Sequence, residues 1–337
     1  MFGALNIEDR GGDDMDNVIM KAQNIKKYFA VDKGMFGKKQ GIIHAVDDIS
    51  FDIYEKETLA LVGESGCGKS TLGRTLIRLL EASGGNVYFE GKDIYTLEQN
   101  EMRNLRKKLQ IIFQDPYASL NPRLKVSDII AEPLVTHNTA IGKNKEQRVK
   151  ELMELVGLRR DYASRYPHMF SGGQRQRIGI ARALALNPRL VICDEPVSAL
   201  DVSIQSQIIN LLQDLQEQKG LTYLFISHDL NVVRYLSNRI CVMFLGKMME
   251  MGPTAAVYSN PLHPYTKFLI AAAPIPNPHE RSKQKLILEG EIPSPINPPP
   301  GCRFNTRCPY VKEVCKTEEP EMKSIGGRLV ACHFPGL

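Results

Sequence analysis

The sequence predicts an α/β protein: a parallel-sheet core with an antiparallel β subdomain before it, an α-helical subdomain inserted in it, and a small cysteine-bearing C-terminal extension. Three observations carry this. Thr58–Val62 (TLALV), Leu190–Cys193 and Tyr223–Ile226 are all-apolar runs of strand length, the pattern of strands buried on both faces. Helical segments follow or separate them, with Leu72, Leu76, Leu79 and Leu80 on one side of the first and Ile208 to Leu215 in the second. Between the first strand and its helix lies a glycine-rich turn.

Residues 1–18 are acidic and glycine-rich without apolar periodicity, the composition of a disordered tail. From Val18 to Ile53, alternation such as Ile49, Phe51 and Ile53 predicts antiparallel strands, with Gly34 to Gly41 as a hairpin loop. The nucleus is expected over 19–258, with its helical part at about 115–175. There Val149, Leu152, Met153 and Val156 fall at i, i+3, i+4 and i+7. Residues 274–301 are proline-rich and read as a linker inside an extension spanning 259–337.

With 337 residues the chain can bury a large core, and its length suggests two or more domains. A formal charge of +5 is small for that length, and no basic stretch is interleaved with aromatics, so nucleic acid is not an expected partner. No apolar run reaches the roughly 18 residues of a membrane span, and the N-terminus lacks a signal pattern, so the chain is expected to be cytosolic. Of seven cysteines, Cys67, Cys193 and Cys241 sit in apolar or glycine-rich segments, as small buried thiols do.

Gly63-Glu64-Ser65-Gly66-Cys67-Gly68-Lys69-Ser70 matches the phosphate-loop pattern in its strand-then-helix context. Glycines let successive backbone N–H groups close on a phosphate at a helix N-terminus, Lys69 reaches the β and γ oxygens, and Ser70, with Thr71 behind it, ligates Mg²⁺. Hydrolysis also needs a carboxylate for the metal shell and a group to activate water. Asp194 and Glu195, at the end of the Leu190 strand, supply both, Glu195 as general base. His228 ends another strand, where it would sense the γ-phosphate, and Gln114 ends Ile111-Ile-Phe-Gln114. Ser171-Gly172-Gly173-Gln174 opens a helix carrying Ile178, Ala181, Arg182 and Leu184, a second anion-binding helix start. Two such ends in different subdomains and one γ-phosphate per ATP imply that the nucleotide lies between two molecules.

These motifs in this order, with Ser198-Ala-Leu-Asp201, resemble the ATP-binding cassette (ABC) family over about residues 20–255. The resemblance implies a P-loop NTPase (RecA-like) core and a serine signature that contacts the opposing subunit's nucleotide. It also implies that Gln114 senses magnesium and couples to membrane domains, and that Tyr28 stacks on adenine. Phe170 replaces the usual leucine of the signature, and Cys193 an aliphatic residue.

Asn260-Pro-Leu-His-Pro-Tyr265-Thr266 and Pro298-Pro-Pro-Gly-Cys302-Arg-Phe resemble the C-terminal extension of oligopeptide and dipeptide importer ATPases. That implies a peripheral subunit on the cytoplasmic side of the membrane, paired with a second ABC ATPase subunit (homo- or heterodimer) and two transmembrane permease subunits. An extracellular peptide-binding protein would act indirectly. Similar ATPases serve nickel or sugar import, and soluble cassette ATPases act in translation or DNA repair. Those usually carry two cassettes or a coiled coil, and this chain has one cassette and no heptad run. An iron or redox sensor with regulatory ATP is a third class, against which the full hydrolytic set weighs.

Cys302, Cys308, Cys315 and Cys332 cluster in a chain expected to be reduced, which suggests a metal rather than disulfides. The spacing lacks the paired C-x-x-C of a zinc ribbon, four cysteines suffice for an iron–sulfur cluster, and spacing alone does not decide. Members of the peptide-importer subfamily with a matching tail carry a [4Fe-4S] cluster, which the resemblance implies here. Arg303, Arg307 and Lys312 lie between these cysteines, where they would offset cluster charge or form a solvated basic loop.

Overall fold

A computed structural model describes residues 17–32, 39–273 and 293–337. Residues 1–16 of the tail expected over 1–18, 34–38 of the hairpin loop expected over Gly34 to Gly41, and 274–292 of the expected linker lie outside the described residues, while Lys39 to Gly41 belong to a strand. Two long strands, β1 (Val18–Asp32) and β2 (Lys39–Tyr54), come first; β3 (Thr58–Val62) then runs through the glycine-rich turn into α1 (Lys69–Leu76). Next are β4 (Gly84–Phe89), β5 (Lys92–Asp93), α2 (Gln99–Leu105) and β6 (Leu109–Ile112). Helices α3 (Val126–Thr136), α4 (Lys143–Leu155) and α5 (Gly172–Leu184) fill the middle of the chain. There follow β7 (Leu190–Asp194), α6 (Val202–Lys219), β8 (Thr222–Ser227), α7 (Leu230–Leu236), β9 (Arg239–Phe244) and β10 (Lys247–Pro253). Helices α8 (Thr254–Ser259) and α9 (Pro264–Ala272) precede the linker, and α10 (Glu313–Thr317), β11 (Lys323–Ile325) and β12 (Arg328–Val330) end the chain.

Two sheets organise these elements. One is antiparallel, in the order β2-β1-β4-β5, and β1 carries several register shifts against β2. The other runs β11-β12-β10-β9-β3-β8-β7-β6, parallel from β9 to β6 and antiparallel beyond. Alternation along the parallel strands explains their unbroken apolar sequence. Ala60, Val62, Val191, Cys193, Tyr223 and Phe225 enter the core shared with α3 to α6. Leu59, Leu61, Leu190, Ile192, Leu224 and Ile226 enter the core shared with α1 and the antiparallel sheet. Both faces are covered, so in β3, β7 and β8 the residues Thr58, Asp194, Thr222 and Ser227 stand at strand ends.

Where the helical part was expected, α4 buries Val149, Leu152 and Met153, and Val156 caps it, fully buried. The helix after the phosphate loop is shorter than its leucines suggested. Arg78 takes a left-handed φ of 53°, the chain turns, and Leu79 is left exposed. The extension does not stand apart from the core: β12 pairs with β10 (Glu250 opposite Val330), so the C-terminal hairpin widens the main sheet. Glu250, fully buried, accepts the backbone N–H groups of Leu262 and His263 and pairs with Arg328, tying the same joint.

Candidate active site

The phosphate loop wraps because its glycines permit it. Gly68 has φ 104°, and a Cβ there would fall 1.9 Å from the Ala45 carbonyl oxygen; Gly63 is equally confined, by the Met243 carbonyl at 2.2 Å. Lys69 is buried, and its Nζ donates to the carbonyls of Gly63 (2.9 Å) and Glu64 (3.0 Å). Ser70 opens α1 and donates Oγ–H to Asp194 Oδ1 at 2.6 Å. Asp194, fully buried at the end of β7, also takes Arg74 Nη2 at 3.1 Å, so its charge is paired although no solvent reaches it.

Glu195 follows in a left-handed conformation (φ 47°), a strained backbone for a non-glycine residue and one that often marks functional positions. Its Oε2 receives Gln114 Nε2 at 2.9 Å and lies 3.2 Å from His228 Nδ1. Three residues from three strand ends thus meet on one carboxylate, as the topology of a parallel sheet permits. The surrounding cleft has a volume of about 990 Å³ and is lined by Ser65, Gly66, Gly68, Lys69, Ser70 and Thr71 together with Gln114, Glu195 and His228.

Several expected residues are elsewhere. Gly63, Cys67 and Asp194 support the cleft without lining it. The Glu64 carboxylate faces the extension, where Arg307 Nη1 donates to both its oxygens (3.0 and 2.9 Å). Ser171, Gly172, Gly173 and Gln174 do not line this cleft, and neither does Asp201. Ser171 caps α5 with a reciprocal pair of bonds to Gln174, and Gly173 is required because a Cβ would fall 2.4 Å from Ile204 of α6.

Phe29, not Tyr28, lines the cleft; adjacent residues of a strand point to opposite faces. Tyr28 instead donates its hydroxyl to Asp47 Oδ1 at 2.5 Å and packs its ring on His44. Burial raises Asp47, but the Tyr28 bond, Lys247 and Arg303 outweigh it and hold the carboxyl below its usual range. Sequence reading also missed Ile43, Ala45, Asp115, Ser198, Ala199 and Pro295 in the lining. Parity with Phe29 across the β1–β2 pairing, where Phe29 is opposite Ile43, is the signal that links two of them.

The four tail cysteines line one small cavity together with His263, Phe304, Asn305 and Phe334, and none forms a disulfide. Burial pushes the Cys302 thiol up to about 12, and Cys308 and Cys332 rise for the same reason, with the neighbouring thiols adding to it. His263 Nδ1 accepts Tyr265 N–H at 3.0 Å, and its buried Nε2 has no partner among the described residues. Among the described residues no group of three or more His, Cys, Asp or Glu side chains is placed to hold a metal ion.

This fold, with phosphate loop, the strand-end Glu195 carboxylate, glutamine and histidine on one cleft and Asp194 buried behind it, defines an ABC-type ATPase. The ABC transporter family model matches residues 46–198, and that of the oligopeptide/dipeptide transporter C-terminal region matches 249–315. The chain is 54% identical over 319 residues to the oligopeptide transport ATP-binding protein AppF of Bacillus subtilis (94% of this chain, 97% of that protein). It is 49% identical over 315 residues to the dipeptide transport ATP-binding protein DppF of Haemophilus influenzae (93% and 96%). A solved dimeric ATP-binding cassette in a post-hydrolysis state with ADP and Pi superposes with TM-score 0.63 at 30% identity, over 70% of this chain and 98% of that one. The chain belongs to the family of oligopeptide and dipeptide transport ATP-binding proteins, within the ABC transporter ATPases, and it is an ATPase.

Proposed function

We propose that this chain powers import of di- and oligopeptides as a peripheral ATP-hydrolysing subunit on the cytoplasmic face of the membrane. Its relatives are named for oligopeptide and dipeptide transport, and no helix among the described residues is long and apolar enough to cross a bilayer. It works with a second ABC ATPase subunit and two transmembrane permease subunits. The division carried by this reading is a nucleotide-binding unit over 19–258, helical at about 115–175, and an extension over 259–337.

One observation carries the chemistry: the Glu195 carboxylate held by Gln114 and His228 beside the Ser70–Asp194 pair. Lys69 and the loop amides bind the phosphates. Ser70, Asp194 and Gln114 offer oxygen donors, a set that fits magnesium, which when bound neutralises charge on the transferring phosphoryl oxygens. Glu195 takes the proton of the attacking water, and His228 holds that carboxylate and faces the γ-phosphate. Ser171 to Gln174 serve the cleft of the other subunit, because they do not line their own. Closure on ATP and release after hydrolysis then drive the permease.

The cysteine cavity is read as a [4Fe-4S] site held by Cys302, Cys308, Cys315 and Cys332. Four convergent thiols and an unpartnered buried His263 nitrogen beside them support this reading. When bound, such a group would cross-link the extension through its thiolates.

The test is uptake of a labelled peptide by the chain reconstituted with its permease and partner ATPase. Wild type should accumulate peptide only with ATP, and Glu195→Gln should abolish uptake while retaining bound ATP. Wild-type uptake by the variant would refute the general-base role, and ATP-driven uptake of another solute in place of peptide would refute the substrate.

A further inference from the structure

The apolar end of the nucleotide cleft is built from two parts of the chain that lie more than two hundred residues apart in sequence. Phe29 and Ile43 face each other across the β1–β2 pairing, and Ala45, on the same side of β2 as Ile43, abuts the phosphate loop at Gly68. Pro295 of the extension lines the same cleft. Its carbonyl accepts the backbone N–H of His44, between Ile43 and Ala45, at 3.1 Å. The next residue, Ile296, approaches β2 so closely that a Cβ on Gly41 would fall 2.3 Å from its Cγ2, so only glycine fits there.

The following stretch is held at two more points, both outside the cleft lining. Arg303 Nη2 donates to Asp47 at 2.6 Å, and Arg307 grips Glu64 of the phosphate loop. Residues 295–307 are therefore anchored at three places, with Pro295 at the cleft and the other two anchors outside its lining. A nucleotide whose phosphates occupy the loop would bring its base to Phe29, Ile43, Ala45 and Pro295, which form an apolar slot next to the loop.

We propose that Pro295 is a base-contacting residue of the nucleotide site, so that the C-terminal extension closes the adenine slot that Phe29, Ile43 and Ala45 begin. The proposal rests on the ATP-site reading above. It makes the extension a direct contributor to nucleotide affinity, and by linkage bound ATP stabilises the docked extension.

The chain contains no tryptophan, so a single introduced indole reports on its own surroundings. In full-length Pro295→Trp, saturating ATP should change the indole emission, whereas inorganic tripolyphosphate, which has no base, should not; Phe29→Trp serves as the parallel probe. A second variant, Pro295→Gly, should weaken ATP binding about fivefold, the worth of a few tens of Å² of apolar contact. Its affinity for tripolyphosphate should stay within about twofold, since a base contact leaves the phosphate end unchanged. Silence of Pro295→Trp while Phe29→Trp responds would overturn this inference alone. Silence of both probes at saturating ATP would overturn the site reading with it. Equal loss of ATP and tripolyphosphate affinity in Pro295→Gly would reduce Pro295 to a structural prop and overturn the inference.

Discussion

Phe29→Ala and Tyr28→Phe separate two neighbouring aromatics that the sequence alone makes look interchangeable. Phe29 lines the cleft, and base–aromatic stacking is worth about 1–3 kcal/mol by alanine substitution, so Phe29→Ala should raise the Kd for ATP roughly 5- to 150-fold. Tyr28 does not line the cleft. Its hydroxyl bonds a carboxylate, an interaction worth about 1.5–3 kcal/mol. Asp47 keeps Arg303 at 2.6 Å and Lys247 at 3.5 Å when the hydroxyl goes, so it is not orphaned and the lower figure applies. Tyr28→Phe should therefore lower the melting temperature by roughly 3 °C while leaving ATP affinity within about twofold. Equilibrium ATP titration and thermal unfolding of both variants measure this. A Tyr28→Phe variant of ordinary stability with weakened ATP binding, beside an unaffected Phe29→Ala, would refute the strand-parity reasoning.

Three further predictions concern the extension and its contacts. Arg307→Ala leaves the part-buried Glu64 without its partner and should cost about 2 kcal/mol, less than the 3–5 of a fully buried pair, read as earlier unfolding and faster proteolysis of the C-terminal region. Because the folded Asp47 carboxyl titrates below its usual range, its contribution is complete above about pH 4 and is lost as pH falls through the lower folded value; Asp47→Asn should flatten that acid limb of the stability profile. Anaerobically purified protein should be brown and contain iron and sulfide, lost together in Cys302→Ser; colourless, iron-free wild type would end the cluster reading.

The parallel core was legible because strands covered on both faces have nowhere to show a polar residue, as in Leu190–Cys193 and Tyr223–Ile226. The phosphate loop was legible because its glycine spacing and the lysine that follows are local in sequence, although the atoms that confine Gly63 and Gly68 belong to Met243 and Ala45 on two other strands. That Phe29 and not Tyr28 lines the cleft was not legible: register shifts at Ala22, Ile25 and Lys27 reset which residues of β1 face inward, and no local pattern records a bulge of that kind. Leu79 and Leu80 continued the helical period, but the left-handed turn at Arg78 ends the helix first. Pro295 and Arg307 lay hidden for another reason. Their contacts join residues hundreds of positions apart across a linker, where composition speaks only of irregular chain.

The claim that the ATP site is shared between two subunits is tested most directly by Ser171→Arg in the assembled transporter. The change puts a bulky cation on the segment that does not line its own cleft, while leaving this chain's phosphate loop intact. Bound ATP per complex and ATP turnover are then measured on one preparation. A shared site predicts near-normal nucleotide occupancy with turnover reduced at least tenfold, since a γ-phosphate contact worth about 1.4 kcal/mol or more is lost. Wild-type turnover in Ser171→Arg would contradict it.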